Sequence, residues 1–198
     1  MQAIRATLAA VPPRVDLLVL AKHAVPAVDA NVPASEWHLS ADGVDGARRL
    51  GEQLRAIAPD VVVSSVERKA LQTGSIAAEV LDVTFHTAAD LHEHVRPFVA
   101  RERFEAEMER FFARPQVKVF GDESAAEAES RFTRGLDAVV RAHGSDRLAV
   151  VAHGTVLSLH LAARYGLDAY ATWSRLGLPA YVVVERRTKS IVDLVDAV

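Results

Sequence analysis

With 198 residues, half of them hydrophobic and a quarter charged, the chain has the size and composition of one globular domain that buries a core without covalent staples. A net charge of −3 and a pI near 6.2 exclude a general basic field that would recruit nucleic acid or anionic membrane, so any anion must be held by a local pocket. The absence of cysteine excludes disulfides, thiolate catalysis and Cys-ligated zinc.

In chain order, the first segment has one early arginine and a short apolar stretch broken by Pro12 and Pro13, unlike a signal peptide. No run reaches the ~20 apolar residues of a membrane span, and a cytoplasmic protein with no membrane partner is expected. Val15–Leu20, apolar apart from Asp16, predicts a strand covered on both faces, as do Val61–Val63 and Leu148–Ala152. A helix is expected over 43–57, where Ala47, Leu50, Leu54 and Ile57 share a face and Pro59 follows. Another is expected over 66–81. The stretch 94–122, rich in Arg, Glu and Phe and flanked by Pro97 and Pro115, reads as a small helical cap over a site. Phe132, Leu136, Val139 and Val140 predict a helix over 124–143 closed by Gly144, and Val156, Leu159 and Ala163 predict one over 155–165 closed by Gly166. Two last apolar runs, Ala180–Glu185 and Ser190–Val195, predict paired strands. Strands alternating with helices give the expectation of a single α/β domain over 1–198, a three-layer α/β/α sandwich around a mixed, mainly parallel sheet.

The buried strands share a feature at their carboxyl ends. The first leads into Lys22-His23, the second into Ser64-Ser65 with Arg68 beyond, and the third into His153-Gly154-Thr155 and a helix. Ligands of open α/β sheets bind at the carboxyl ends of the strands, so two histidines, a lysine and an arginine converge on one edge. Cations and the N–H groups at a helix start suit phosphate, and a neutral imidazole is a competent nucleophile towards phosphorus. A carboxyl group is then needed to protonate the leaving oxygen and to activate water. Glu93 is the candidate, with Glu123 and Asp90 as alternatives.

At these residues the chain resembles the histidine phosphatase (phosphoglycerate mutase-like) superfamily. Leu20-Ala21-Lys22-His23-Ala24 stands where that family has its Arg-His-Gly signature. Trp37-His38-Leu39-Ser40-Ala41-Asp42-Gly43 is similar to the start of its first helix, and Ser64 through Thr73 is similar to its Ser-Ser-x-x-x-Arg segment. Leu91-His92-Glu93, Glu123-Ser124 with Arg131-Phe132, and Val150 through Gly154 complete the order. The resemblance implies His23 as the nucleophile that becomes phosphohistidine, Glu93 as general acid and then base, and His153 as stabiliser of the transferring group. It implies Lys22, Arg68 and Gly154 as phosphate binders. Arg96 and Ser65 are candidate substrate contacts, with Arg101 and Arg103 able to reach over the pocket. Lys22 departs from the family's arginine, Ala24 from its glycine, and Asp29 stands where an asparagine is common.

The expected activity is hydrolysis of a small phosphate monoester, with no cofactor and no metal, by a monomer or homodimer that binds no nucleic acid. A mutase that returns the phosphoryl group to product is the alternative within enzymes, and a degenerate phosphoester- or protein-binding module the alternative outside them. His92 and His94 raise a metal-binding reading, outweighed by a surface or supporting role. Trp37 and Trp173 are expected in the core or pocket wall. His38, His86 and His143 are assigned no role, and His160 is expected to be a hydrogen-bonded core histidine.

Overall fold

A computed structural model describes residues 16–144 and 147–198. The expected start of the first strand at Val15, and the N-terminal segment before it, lie outside these. The elements run β1 (Leu17–Lys22), α1 (Ala41–Leu54), β2 (Val61–Ser65), α2 (Arg68–Leu81), β3 (Thr84–Ala88), α3 (Arg101–Ala113), α4 (Ala125–His143), β4 (Leu148–Ala152), α5 (Gly154–Tyr165), α6 (Ala169–Arg175), β5 (Ala180–Glu185) and β6 (Ser190–Val195). A short 3-10 helix, Ala34–Glu36, precedes α1.

The six strands form one sheet in the order β3-β2-β4-β1-β5-β6. β1, β2, β3 and β4 are mutually parallel, and β5 and β6 close the sheet antiparallel. The sheet is therefore mixed and mainly parallel, with helices on both faces. Alternate residues of each strand point to opposite faces. Leu18, Leu20, Val63, Leu148 and Val150 pack with Phe132 and Leu136 of α4 and Leu157 and Leu161 of α5. Val19, Ala21, Val62, Ala149 and Val151 pack with Leu50 and Leu54 of α1 and Ala70 and Ala78 of α2. Each such burial contributes on the order of 1.5–3 kcal/mol for a large aliphatic side chain, which is why these strands lack polar alternation.

Local chemistry sets the helix ends. Ser40 caps α1 by accepting from the Gly43 N–H at 3.0 Å. Gly43 is obligatory in this packing, since a β-carbon there would lie 2.0 Å from the Val25 carbonyl oxygen. α1 ends at Leu54, short of the expected 57, with Ala58 in the left-handed region at φ 51°. Ser124 and Glu127 form a reciprocal capping box at the start of α4.

The 94–122 excursion holds α3, but it is anchored in the core and does not stand off as a free flap. His94, Met108 and Phe111 are buried, and His94 packs on Phe111 and Phe120 at ring distances of 4.4 and 5.4 Å. Phe104 and Phe112 pack in turn against Trp173 of α6.

Candidate active site

Strand register assembles the site. Lys22 is level with Ala152 across β1 and β4, so His23 and His153 emerge side by side, and the His23 N–H donates to the Ala152 carbonyl at 3.0 Å. Their ring centroids are 5.3 Å apart with planes tilted by 59°. Ser64 is level with Val151, which brings Ser65 beside the same point, and its Oγ lies 2.8 Å from His153 Nε2. His23, His153 and Ser65 thus meet at the carboxyl edge of the sheet.

His23 is buried, with its Nδ1 2.8 Å from the Ala24 carbonyl oxygen. A carbonyl only accepts, so Nδ1 carries the proton and Nε2 keeps its lone pair. Burial, then the neighbouring His153 and the Lys69 ammonium, push the His23 pKa well below its ordinary value. The ring is therefore neutral at physiological pH. Ala24, in place of glycine, fits without strain: it is absent from the positive-φ residues and its N–H donates to Thr73 Oγ1 at 3.0 Å.

His153 is fully buried, and burial lowers its pKa to about 4 against the opposing pull of Glu67. The Ser65 hydroxyl accepts from the Glu67 N–H at 3.3 Å and is free to donate to His153 Nε2. That arrangement puts the imidazole proton on Nδ1, which has no hydrogen-bond partner among the described residues.

Glu93 follows β3 and is partly buried. Its Oε2 accepts from the Thr155 N–H at 3.1 Å, and its Oε1 from the His94 N–H at 2.9 Å. Burial alone would raise its pKa. The Arg96 guanidinium, His153 and those two N–H groups prevail and hold it at about 2. Arg96 is itself fixed over the Phe104 and Phe120 rings, 5.0 and 5.9 Å from their centroids. Arg131, buried on α4, donates to the carbonyls of Asp90, His92 and Glu93 and pairs with Glu123. It fixes the loop that carries Glu93 and occupies Glu123, one of the two alternative acids. Asp90, the other, sits in a left-handed turn at φ 64° with its carbonyl held by Arg131.

The cations are arranged differently from expectation. The Lys22 Nζ donates to the Leu176 carbonyl at 2.6 Å, and burial lowers its pKa to about 8 although Glu93 pulls the other way. Its stem lies against Gly154, the first residue of α5. Arg68 stands outside the group: it is exposed and pairs with Glu36 beside His38. Its neighbour Lys69 turns inward, buried to 4% exposure, and its charge depresses both histidines. Lys69 donates to the Ala34 carbonyl at 2.8 Å and to Glu67. Neither Lys69 nor Glu67 was singled out from the sequence. The signal for Lys69 is its place four residues before Thr73, on the buried face of α2.

The remaining candidates fall away from the centre. Arg103 is exposed on α3, and the side chain of Arg101 lies outside the described set. Asp29 and Asn31 are exposed and bond to each other. His94 Nε2 is within 2.9 Å of the Glu123 carbonyl, and His160 is bonded to Thr133 at 2.8 Å. Trp37 is partly buried, donates to the Asp29 carbonyl and meets Phe98 edge-on. Among the described residues no group of three or more His, Asp or Glu is placed to hold a metal ion, and no helix is long and apolar enough to cross a membrane.

Fold and site together define an α/β protein with paired neutral histidines, two inward lysines and a carboxylate at the carboxyl edge of a mixed sheet. The chain belongs to the histidine phosphatase superfamily (branch 1), which it matches over residues 18–192. No curated protein sequence matches it. Among solved structures it is similar to an Entamoeba histolytica phosphoserine phosphatase mutant in complex with phosphoserine, at 15% identity and a TM-score of 0.72, covering 90% of this chain and 95% of that one. It is similar to a mycobacterial glucosyl-3-phosphoglycerate phosphatase at 20% identity and a TM-score of 0.70, covering 86% and 90%. The α-ribazole phosphatase of Shigella flexneri is 18% identical with a TM-score of 0.68, over 91% and 96% of the two chains.

Proposed function

We propose that the protein is a metal-independent phosphatase that hydrolyses a small phosphate monoester through a phosphohistidine on His23. The observation that supports this most is the contact of His23 Nδ1 with the Ala24 carbonyl, which leaves Nε2 unprotonated in a buried, neutral ring. Nε2 attacks phosphorus, the P–O ester bond breaks, and the leaving oxygen takes a proton from Glu93. Water then attacks the phosphohistidine with Glu93 as base, the P–N bond breaks, and phosphate leaves with His23 restored. Lys22 and Lys69 bind the non-bridging oxygens in this reading, with His153 Nδ1–H and the N–H groups at the start of α5 as further donors. Lys69 thereby takes the role expected of Arg68.

Glu93 must be protonated for the first step, yet its surroundings hold its pKa at about 2. A bound phosphoryl anion opposes the Arg96 and His153 fields and raises the carboxyl pKa, so substrate itself supplies the acid. The similar phosphatases are named for phosphoserine, glucosyl-3-phosphoglycerate and α-ribazole phosphate, compounds that share a phosphomonoester and differ in the leaving group. The shared part is what this site is built to hold.

The test is hydrolysis of para-nitrophenyl phosphate in EDTA by wild type and His23→Ala, with acid-labile phosphate on His23 measured in parallel. Turnover that survives chelation and is lost with His23 is the expected result. Turnover retained by His23→Ala would sink the mechanism.

A further inference from the structure

The turn between β2 and α2 holds a carboxylate that the phosphatase chemistry does not use. Glu67 is 9% exposed. Its Oε2 accepts from Lys69, its Oε1 accepts from the Glu93 N–H at 2.7 Å, and the same oxygen lies 3.8 Å from His153 Nε2. An ammonium and a backbone N–H thus hold one anion, with the His153 ring alongside it. These two are the kinds of donor a phosphoryl group requires, and Lys69 belongs to the proposed cradle itself.

The charges that face this region come from every element around it. Lys69 lies on α2, His153 at the end of β4, and His92, Glu93 and Arg96 on the segment after β3; Lys22 reaches in from β1. Before substrate binds, Lys22, Lys69 and Arg96 are cations, Arg131 of α4 is paired with Glu123, Glu67 and Glu93 are carboxylates and the histidines are neutral, so one positive charge is left over. The proton that Glu93 needs for the first step arrives with the singly charged ester. A singly charged phosphoryl group brings the site to neutrality. A doubly charged one leaves a net negative charge in a buried place, beside a carboxylate that already occupies Lys69.

We propose that Glu67 is a specificity-determining residue, an internal anion that competes for the phosphoryl cradle and makes the site take singly charged phosphate esters in preference to doubly charged ones. The inference rests on the phosphatase reading and adds the ionic form of the substrate to it. Glu67 selects by repulsion: it weakens the doubly charged competitor and leaves the singly charged one the site's unbalanced positive charge.

The experiment is titration calorimetry of wild type and Glu67→Gln with inorganic phosphate from pH 5.5 to 7.5, and with sulfate, which stays doubly charged throughout. In wild type, phosphate affinity is expected to fall towards about tenfold per pH unit above the second ionisation of phosphate, as the competent ionic form becomes scarce. Sulfate is expected to bind weakly at every pH. Gln keeps a carbonyl to accept from the Glu93 N–H, so Glu67→Gln is expected to bind sulfate about tenfold or more tightly than wild type and to lose most of the pH slope for phosphate. Should Glu67→Gln fail to fold, Glu67→Ala takes its place and is expected to show the same gain for sulfate and the same loss of slope. Wild-type phosphate affinity that is flat or rises with pH overturns the proposal, as does a variant that binds both anions more weakly, the result a purely structural brace would give. The two readings fail separately. Absence of phosphate on His23 after incubation with para-nitrophenyl phosphate removes the phosphatase reading, whereas a flat slope with His23 still phosphorylated removes only the role of Glu67.

Discussion

The stem of Lys22 lies against the bare α-carbon of Gly154: a β-carbon there would come within 3.0 Å of Lys22 Cε and 3.3 Å of its Nζ. The glycine gives the lysine its path to the Leu176 carbonyl along the start of α5. Gly154→Ala should preserve the fold, because the clash is with a flexible side chain and alanine suits a helix. It should displace the ammonium by the order of an ångström and lower kcat/KM by roughly ten- to a hundredfold. Kinetics beside a thermal melt check this; unchanged kcat/KM would show that the ammonium does not hold substrate.

Lysine in place of the family's arginine gives the site an alkaline limit. Burial brings Lys22 down to about 8, so its charge is complete well below that pH and is lost as pH rises through it. kcat/KM should therefore fall on the alkaline side with an apparent pKa near 8 or somewhat above, since a bound anion favours the ammonium. Lys22→Arg keeps its charge past about pH 12 and should move that limb upward or abolish it. A limb that stays in place in the variant would assign it to another group.

The convergence of the first, second and fourth strands was legible because buried parallel strands carry continuous apolar runs, and the residue after each run marks the ligand edge. β3 was not legible. In Thr84-Phe85-His86-Thr87-Ala88 only Phe85 is a large apolar residue, and the strand lies at the sheet edge with Thr84, His86 and Thr87 exposed. α6 is seven residues long and starts from an Asp168 cap, too short for periodicity to show. The inward-facing cation after β2 stands one position beyond the one expected, for a similar reason. Charge type favoured Arg68, but successive residues of a helix point about 100° apart. Ala70, Thr73, Gly74 and Ala77 mark the buried face, and Lys69 shares it while Arg68 does not. The Glu67–Lys69 pair is a tertiary arrangement that no local pattern announces.

Arg96 acts through its field on Glu93, the acid of the proposed mechanism. Its guanidinium is the foremost favourable influence holding Glu93 ionised, so Arg96→Gln should raise the Glu93 pKa and increase the protonated fraction at any given pH. The limb of kcat that reports Glu93 as acid should then shift towards alkaline pH in single-turnover phosphorylation. A contact with substrate would instead appear as a higher KM. An unshifted kcat profile with a raised KM would make Arg96 a binding residue only.

Arg131 should matter to stability and chemistry together. It pairs with Glu123 through Nε at 3.1 Å and a terminal nitrogen at 2.6 Å, and it donates to the loop carbonyls of Asp90, His92 and Glu93 at 2.9 to 3.3 Å. Arg131→Ala removes those donors and leaves Glu123 largely buried without its partner, a change that costs about 3–5 kcal/mol. Urea unfolding measures that loss directly. The loop bearing Glu93 also loses its brace, and in the proposed mechanism water activation depends on that carboxylate. Phosphohistidine should therefore persist longer in the variant after a pulse of substrate, at a urea-free temperature where it is still folded. A variant that is destabilised yet dephosphorylates at the wild-type rate would confine Arg131 to the scaffold.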